Sequence, residues 1–234
     1  MLKYLIQTHQ SHMLLKLIIT LLKILIPLIT RLEVIGDLDK FQLDNQIIVS
    51  NHIGVLEALL VYYFIDREDA IVLLAGKHQH HWFTRALAGQ VDAIFVDRYN
   101  ADLNATRKVF KRLQDGDVMV IAPEGTRSPD GSLQEGRLGV SYLASKTGVP
   151  ILPVAVTGTE DKVVKSKLVR LQRVPVAVSI GDQFTLPPAR GSQRREILQE
   201  YTDEIMCHIA ALLPEDRRGV YAQNPRVEEL LRIS

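Results

Sequence analysis

Short apolar segments alternate with segments of helical periodicity over most of this 234-residue chain, and this alternation restricts the possible fold more than any other feature. The apolar segments have the length and composition of buried strands: residues 46–49, 70–74, 93–96, 118–122, 150–156 and 174–180. Strands that alternate with helices form largely parallel sheets that are covered by helices. The sequence therefore predicts an α/β layered domain with a largely parallel central sheet flanked by helices.

Three helices are predicted from their periodicity and from the residues at their ends. The first begins at a cap on Asp102 or Asn104 and stops at Gly116. The others cover residues 138–146, before Gly148, and residues 196–213, before Pro214. Because no internal repeat or low-complexity linker separates these elements, we expect one domain over residues 36–234.

The first 32 residues differ from the rest of the chain in charge. They contain four basic residues, Lys3, Lys16, Lys23 and Arg31, and no acidic residue. Polar residues recur mostly at steps of three and four and so form one narrow stripe of a helix: His9, Lys16, Thr20, Lys23, Pro27 and Thr30. The rest of that helix surface is Leu, Ile or Met, which gives it a wide apolar face.

This helix could cross a bilayer or lie along its surface. A helix over residues 12–32 would measure about 31 Å, enough to cross, but Lys23 would then sit near the centre at roughly 2.5 to 3.5 kcal/mol on insertion scales. An interfacial position avoids this cost, so we expect residues 1–35 to be an amphipathic, membrane-binding helical segment. The charges and the lack of a cleavage pattern disfavour a signal peptide. The alternative is a helix packed into the protein's own core.

The overall composition excludes several partner classes. The chain has 28 Lys and Arg against 27 Asp and Glu, so no overall positive field is available to hold a nucleic acid. The single cysteine, Cys207, cannot form an internal disulfide, and no zinc-ligand spacing occurs. His78, His80 and His81 are close together but lack a nearby acidic or thiol ligand. We therefore expect no nucleic-acid partner and no metal.

The loop after the strand at residues 46–49 contains a candidate general base. Asn51 and His52 follow the strand, and Glu57 lies five residues after the histidine. An imidazole can accept a proton at neutral pH when a carboxylate orients it. The alternative is that Asn51 and His52 cap the next helix while Glu57 lies in solvent.

The loop after the strand at residues 118–122 contains a candidate phosphate-binding group. Gly125 allows the backbone to approach a ligand, and Thr126 and Arg127 offer hydrogen-bond donors. The planar guanidinium of Arg127 suits a phosphate. The alternative is a surface turn at residues 129–131, but such a turn does not explain the choice of residues from Glu124 to Arg127.

Taken together, these loops resemble a known family. Asn51-His52 with an acid at the fifth position, Glu124-Gly125-Thr126-Arg127, and Val149-Pro150-Ile151-Leu152-Pro153-Val154 occur in the order found in the glycerolipid acyltransferases. That family is typified by the 1-acyl-sn-glycerol-3-phosphate (lysophosphatidic acid) acyltransferases. Phe95-Val96-Asp97-Arg98 stands where the family carries its second motif, which contains an arginine.

The resemblance implies a membrane-bound O-acyltransferase of phospholipid biosynthesis. It would transfer a fatty acyl group from a thioester, acyl-CoA or acyl carrier protein, to a lysophospholipid hydroxyl, with 1-acyl-sn-glycerol-3-phosphate the first candidate acceptor and phosphatidic acid the product. His52 would be the base and Glu57 its partner. No cofactor is implied, and the expected location is the cytoplasmic face of a membrane. The phosphate end of the acceptor is assigned to Arg98, Glu124, Gly125, Thr126 and Arg127, with Glu124 orienting an arginine.

The chain departs from the family at Glu57, where an aspartate is usual. The carboxylate stands one methylene further from the backbone, so it must reach His52 by a different rotamer. Two other functions stay open: a lipid-binding protein that Glu57 has weakened catalytically, and a hydrolase in which His52 activates water on a thioester. The basic residues between 162 and 173 are either a second membrane-surface patch or a solvated helix.

Overall fold

The computed structural model describes residues 17, 19–65, 70–75, 93–96 and 103–233. Within these residues, the strands form one seven-stranded sheet in the order β1-β7-β6-β2-β5-β3-β4. All neighbouring pairs are parallel except the antiparallel pair β6–β7. The predicted α/β domain with a largely parallel sheet is therefore confirmed. The strands are β1 (Thr30–Ile35), β2 (Ile47–Ser50), β3 (Ala70–Ala75), β4 (Ile94–Val96), β5 (Val118–Ile121), β6 (Ile151–Thr157) and β7 (Val174–Ile180).

Helices cover both faces of the sheet. They are α1 (residues 19–29), α2 (Leu56–Phe64), α3 (Leu103–Gln114), α4 (Gly139–Thr147), α5 (Asp161–Val169), α6 (Arg194–Leu212) and α7 (Pro225–Ile233). The three predicted helices correspond to α3, α4 and α6, with ends that agree within two residues. Gly148 ends α4 as predicted, because its backbone takes the left-handed conformation at φ 72° and its N–H donates to Ala144.

The two faces of the sheet have separate apolar layers. On β2, Ile47 and Val49 point into the layer under α3, α4, α6 and α7, whereas Ile48 points into the layer under α1, α2 and α5. All three side chains are at most 2% exposed. A central strand of a parallel sheet is buried on both faces, which explains why β2 is a continuous apolar run.

The register of β2 brings three loops to one edge of the sheet. Val49 lies beside Ile121 of β5, and Ser50 lies beside Val154 of β6, with all three strands running in the same direction. The segments that follow β2, β5 and β6 therefore leave the sheet at the same carboxyl edge, where α/β proteins bind their ligands.

The predicted N-terminal helix is wrong at its end. The helix stops at residue 29, and Thr30–Ile35 form β1, which pairs in parallel with β7. In this segment polar Arg31 and Glu33 are exposed while Leu32 and Val34 pack on the core, a period of two that the helical prediction overlooked. Residues 30–35 thus belong to the sheet and not to the predicted membrane-binding segment.

The described part of α1 packs through one narrow stripe. Ile19, Leu22 and Ile26 are buried, and Ile26 belongs to the same apolar layer as α2. The other face exposes four large apolar side chains: Leu21, Ile24, Leu25 and Leu28. One stripe of this helix is therefore docked on the domain, as the core-helix alternative expects, and the wider apolar face is open. Among the described helices, none has both the length and the hydropathy needed to cross a bilayer.

We predict that truncating α1 at its buried stripe destabilises the domain whereas truncating its open face does not. Ile26 is fully buried, so Ile26→Ala should lower the free energy of unfolding by about 2–5 kcal/mol. Leu28 is 61% exposed in the same turn, so Leu28→Ala should change it by about 0.5 kcal/mol or less. Urea denaturation measures both, and equal losses would contradict the docking described here.

Candidate active site

The side chain of Asn51 continues the hydrogen bonding between β2 and β6 just after β2 ends. Its Nδ2 donates to the carbonyl oxygen of Val156 at 2.8 Å, and the N–H of Val156 donates to its Oδ1 at 2.8 Å. The side chain is 4% exposed and takes the place of a peptide group in the ladder. Asn51 therefore fixes the point at which the chain leaves the sheet, directly before His52.

The backbone of His52 is held on both sides by the loop that follows β5. Its N–H donates to Glu124 Oε1 at 2.8 Å, and its carbonyl oxygen accepts from the N–H of Ser128 at 2.7 Å. These two bonds join the two loops that the sequence selected as functional. Because both backbone groups of His52 are engaged in hydrogen bonds, the imidazole is the group of this residue that can transfer a proton.

His52 and Glu57 form a hydrogen-bonded pair. Nδ1 of His52 lies 2.8 Å from Glu57 Oε2. A carboxylate accepts hydrogen bonds and donates none, so Nδ1 donates, and the neutral ring carries its lone pair on Nε2. No residue in the described part of the chain bonds to Nε2, and the side chain is 27% exposed at the edge of a cavity.

The Glu57 carboxylate is buried and surrounded by further donors. Its Oε1 accepts from the N–H groups of Ile53 and Gly54 at 2.9 and 2.8 Å, and from Thr159 Oγ1 at 2.7 Å. Glu57 lies in the first turn of α2, where the helix dipole also favours a negative charge. The alternative that Glu57 lies in solvent is therefore wrong.

The loop after β6 contributes residues to the site that the sequence analysis missed. Thr159 is fully buried and bonds to Glu57, and Asp161 Oδ1 accepts from the N–H of Val55 at 2.9 Å. A Cβ on Gly54 would collide with the carbonyl oxygen of Thr159, so glycine is needed where the two loops meet. The sequence contained an indication of this role, because Thr159 and Asp161 are polar residues that closely follow the strand predicted at residues 150–156.

Glu124 is the most buried charged residue of the site, at 2% exposed. Its two carboxylate oxygens accept from the N–H groups of His52 and Gln134 at 2.8 and 3.1 Å. Burial raises the pKa of Glu124 to about 7, and the two backbone hydrogen bonds offset part of that rise. The expectation that Glu124 orients an arginine is not met, because its carboxylate fastens two backbone segments together.

Gly125 brings a second arginine to the loop after β5. Its φ is 69°, and a Cβ at this position would lie 2.8 Å from Cδ of Arg137. The Nε of Arg137 donates to the carbonyl oxygen of Glu124 at 3.2 Å, which holds the side chain across the loop. Arg137 was not selected from the sequence, since it lies ten residues beyond Arg127.

Arg127 projects from the same loop and is half exposed. Its Nη1 lies 2.7 Å from Asp161 Oδ2, and both side chains are about 51–52% exposed. A pair this exposed contributes little to stability, so a phosphate can replace Asp161 as the partner of Arg127 at small cost. Thr126 is exposed beside it, and Arg98 and Asp97 lie outside the described residues.

A cavity of about 880 Å³ opens beside these residues. His52, Arg127 and Arg137 are among the polar residues that line it. The remaining wall is largely apolar and comes from both helical layers, with members such as Leu60, Val61, Val109, Val140, Leu143, Val154 and Val156. The arrangement suits a ligand with one anionic end and one apolar chain.

The described residues contain no group of side chains that could hold a metal ion. The histidine cluster at residues 78–81 lies outside the described residues. The two described loops that face the cavity instead offer one imidazole, one carboxylate and two guanidinium groups, which suits proton transfer and anion binding.

The fold and the site define an α/β domain with an oriented histidine base beside an anion-binding loop and an apolar cavity. The family model described as "Acyltransferase" matches residues 31–157, which include all of β1 except its first residue, the His52 loop, the Arg127 loop and β6. The chain belongs to this acyltransferase family, as its motifs indicated.

Several proteins of similar sequence are named as acyltransferases. A 1-acyl-sn-glycerol-3-phosphate acyltransferase of Cocos nucifera is 25% identical over 191 residues, which are 79% of this chain and 59% of that protein. One from Haemophilus influenzae is 27% identical over 53% of each chain. The mouse alpha form is 32% identical over 49% of this chain and 41% of its own. The chain thus spans about two fifths to three fifths of these relatives.

A solved structure has a similar fold. The crystal structure of the 1-acyl-sn-glycerophosphate (LPA) acyltransferase PlsC from Thermotoga maritima superposes with a TM-score of 0.60 and 25% sequence identity. The match covers 82% of this chain and 76% of that chain.

We predict that Glu124 makes the stability of the domain depend on pH. Its folded pKa of about 7 lies above the ordinary value of 4.5, so its contribution is complete below about pH 4.5 and is lost as the pH rises to about 7. The stability of the wild type relative to Glu124→Gln, which cannot ionise, should therefore be greater at pH 5 than at pH 8. Urea denaturation at both pH values measures this, and a constant difference would contradict the raised pKa.

Proposed function

We propose that this protein is an O-acyltransferase that transfers a fatty acyl group from a thioester to the free hydroxyl of a lysophospholipid. The observation that carries the proposal is the 2.8 Å pair of His52 Nδ1 and Glu57, which leaves Nε2 without a partner among the described residues, on a side chain that lines a cavity together with two arginines and many apolar side chains. The proposed acceptor is 1-acyl-sn-glycerol-3-phosphate, and the proposed product is phosphatidic acid.

The proposed reaction is a direct transfer with His52 as general base. Nε2 removes the hydroxyl proton of the acceptor as the oxygen attacks the thioester carbonyl, and Glu57 stabilises the imidazolium that forms. Collapse of the tetrahedral intermediate breaks the C–S bond, and the proton on His52 passes to the leaving thiolate. No acyl-enzyme is needed: Cys207, the chain's single thiol, is buried in α6, and burial raises its pKa to about 12.

The phosphate of the acceptor is assigned to the loop after β5. Arg127 and Arg137 lie on the cavity wall near His52, and guanidinium groups bind phosphate oxygens in pairs. Gly125 contributes by admitting Arg137, and Thr126 adds an exposed hydroxyl. Arg98 is assigned here by the family resemblance alone.

The acyl chain is assigned to the apolar part of the cavity. A volume of about 880 Å³ is within the ordinary range of small-molecule sites and has room for an extended lipid chain next to His52. Val154 and Val156 of β6, in and just after the fourth family motif, lie on this wall.

A thiol-release assay tests the proposed reaction and identifies the donor. Purified protein is supplied with acyl-CoA or acyl-acyl carrier protein and a panel of acceptors that includes lysophosphatidic acid, glycerol 3-phosphate and lysophosphatidylcholine. We expect thiol release that requires a phosphate-bearing acceptor and yields an equal amount of acylated lipid. Thiol release that is independent of acceptor would identify a thioester hydrolase instead.

We also propose that the open face of α1 attaches the protein to a membrane without crossing it. Its four exposed large apolar side chains include Leu21 and Leu28, each about 60% exposed. Such a surface suits the boundary between headgroups and acyl chains, where the lipid acceptor is found. The cytoplasmic face is the expected side, where a thioester donor would be available.

Replacement of the paired residues should show that they act on one proton transfer. His52→Ala and Glu57→Gln should each lower kcat by about a hundred- to ten-thousandfold. The double variant should be much less impaired than the product of the two effects, because both residues serve the same step. Glu57→Asp keeps the charge but withdraws it by one methylene, so a loss of about tenfold or less is expected. An unchanged kcat in folded Glu57→Gln would remove Glu57 from the mechanism.

Arg127→Ala should weaken binding of the acceptor more than binding of the donor. A charge-assisted hydrogen bond contributes roughly 1.5–3 kcal/mol, so the KM for the acceptor should rise about ten- to a hundredfold. Arg195→Ala, which removes an exposed arginine from α6, is the matched control and should leave both KM values unchanged. An effect of Arg127→Ala confined to the donor would reverse the assignment.

Polar substitutions on the open face of α1 should release the protein from vesicles. Leu21→Ser with Leu28→Ser removes two exposed apolar side chains, so partition onto phospholipid vesicles should fall at least tenfold while the melting temperature changes little. The control is Leu103→Ser with Leu231→Ser, on helices of the opposite layer. Equal partition of both double variants would contradict attachment through α1.

A further inference from the structure

The turn between α5 and β7 exposes an apolar residue in a strained backbone conformation. Leu171 is 97% exposed and has a φ of 53°, a region that usually holds glycine at the end of a helix. Val169, two residues earlier, is 77% exposed. A leucine at this position strains the backbone and buries no surface in return, so folding alone gives no reason for it.

Basic side chains surround this apolar turn. The segment of residues 161–173 contains five basic residues and one acidic residue: Lys162, Lys165, Lys167, Arg170 and Arg173, with Asp161. Asp161 lies at the start of α5 and is paired with Arg127, so it does not neutralise the turn. No residue of α5 is buried.

The turn and the open face of α1 lie on the same side of the sheet. Val164 of α5 and Ile26 of α1 pack against the same apolar layer, which also holds Leu60 of α2. Any flat surface that contacts the open face of α1 is therefore on the side where α5 lies. The helices α3, α4, α6 and α7 cover the opposite side.

The turn also lies at the edge of the sheet that carries the candidate active site. Because β7 is antiparallel to β6, its first residue, Val174, lies at the carboxyl end of β6, next to the loop that holds Thr159. Thr30 is paired with Val174, so the last turn of α1 reaches the same edge. The end of α1, the basic turn and the loops around His52 therefore lie together at the carboxyl edge of the sheet, on the face that α1 and α5 cover.

We infer that residues 162–173 form a second membrane-docking element, which binds an anionic lipid bilayer next to the cavity. Val169 and Leu171 enter the acyl region, and the five basic side chains contact lipid phosphates. The axis of α1 and a second attachment point away from that axis define a plane, whereas α1 alone would allow the domain to rotate about the helix axis. This inference deepens the proposed function and rests on it. The second docking element would hold the cavity at the membrane surface, which supplies the lipid acceptor.

The exposed apolar side chain among basic residues distinguishes a membrane from other partners. A basic residue at an anionic membrane surface contributes about 1 kcal/mol, which is roughly a fivefold gain in partition. An acidic protein would meet the same charges, but it gives no reason for an apolar side chain that is 97% exposed between them. Apolar residues interleaved with lysine and arginine are typical of surfaces that lie on lipid.

The first test uses Leu171→Gly, which separates folding from binding. Glycine accepts a φ of 53° without strain, so the melting temperature of the full chain should stay the same or rise. Partition onto vesicles that contain 30 mol% anionic phospholipid should nevertheless fall by about threefold or more, measured by flotation. Unchanged partition of Leu171→Gly would overturn the insertion of this residue.

The second test reverses charge. Arg170→Glu with Arg173→Glu should reduce partition onto the anionic vesicles at least tenfold and have little effect on vesicles of phosphatidylcholine alone. The control, Arg107→Glu with Lys111→Glu, makes the same change on exposed residues of α3 and should partition as the wild type does. Equal losses in both double variants would show a general charge effect and contradict a docking site on α5.

The outcomes separate this inference from the proposed function. Flotation needs no catalysis, so failure of acyl transfer in the wild type would contradict the proposed function and leave the binding result to be judged by itself. If the charge-reversed variant bound vesicles normally and lost rate only with a protein-carried thioester, the basic turn would bind an acidic donor protein. That result would overturn the membrane inference.

Discussion

The candidate site depends on one buried carboxylate. Glu57 accepts hydrogen bonds from the imidazole of His52, from two backbone N–H groups that precede α2, and from the hydroxyl of Thr159. These donors come from two different loops, so the carboxylate holds the loops together as well as orienting the imidazole. A buried carboxylate without such partners would cost several kcal/mol, which makes the position of each donor a condition for folding.

The longer side chain at this position is accommodated by its surroundings. Glutamate places its carboxylate roughly 1.5 Å further from the backbone than aspartate, one C–C bond. In this chain the extra reach brings Oε1 to Thr159 on the loop after β6, and Gly54 provides the room for that loop to approach. The departure from the usual residue therefore coincides with a complete set of hydrogen bonds, which supports a working base and not a weakened one.

The sheet order explains why loops far apart in sequence meet. β2 lies between β5 and β6, and all three run in the same direction, so three carboxyl ends share one edge. Glu124 then fastens the loop after β5 to the backbone of His52, and Asp161 joins Arg127 to the start of α2. The proposed proton transfer and the proposed phosphate site are parts of one hydrogen-bonded network.

The sequence predicted the strands of the central sheet and His52 with its loop because those features are local patterns. It missed β1, where four alternating residues follow directly on a helical segment and the pairing partner is more than 140 residues away. Thr159 and Arg137 were also missed, because their roles depend on contacts between loops. The role of Glu124 was misassigned, because the burial of its carboxylate cannot be inferred from a local motif. Side chains that act through tertiary contacts leave little trace in local periodicity.

The protonation state of the two ring nitrogens of His52 tests the proposed mechanism most directly. Nitrogen-15 NMR of the protein labelled at histidine, with the His52 signal assigned by comparison with His52→Ala, distinguishes the two neutral tautomers. We predict that in the neutral ring Nδ1 carries the proton, donated to Glu57, and that Nε2 is unprotonated and available as the base. A neutral His52 protonated on Nε2 would contradict the pairing on which the proposed mechanism is built.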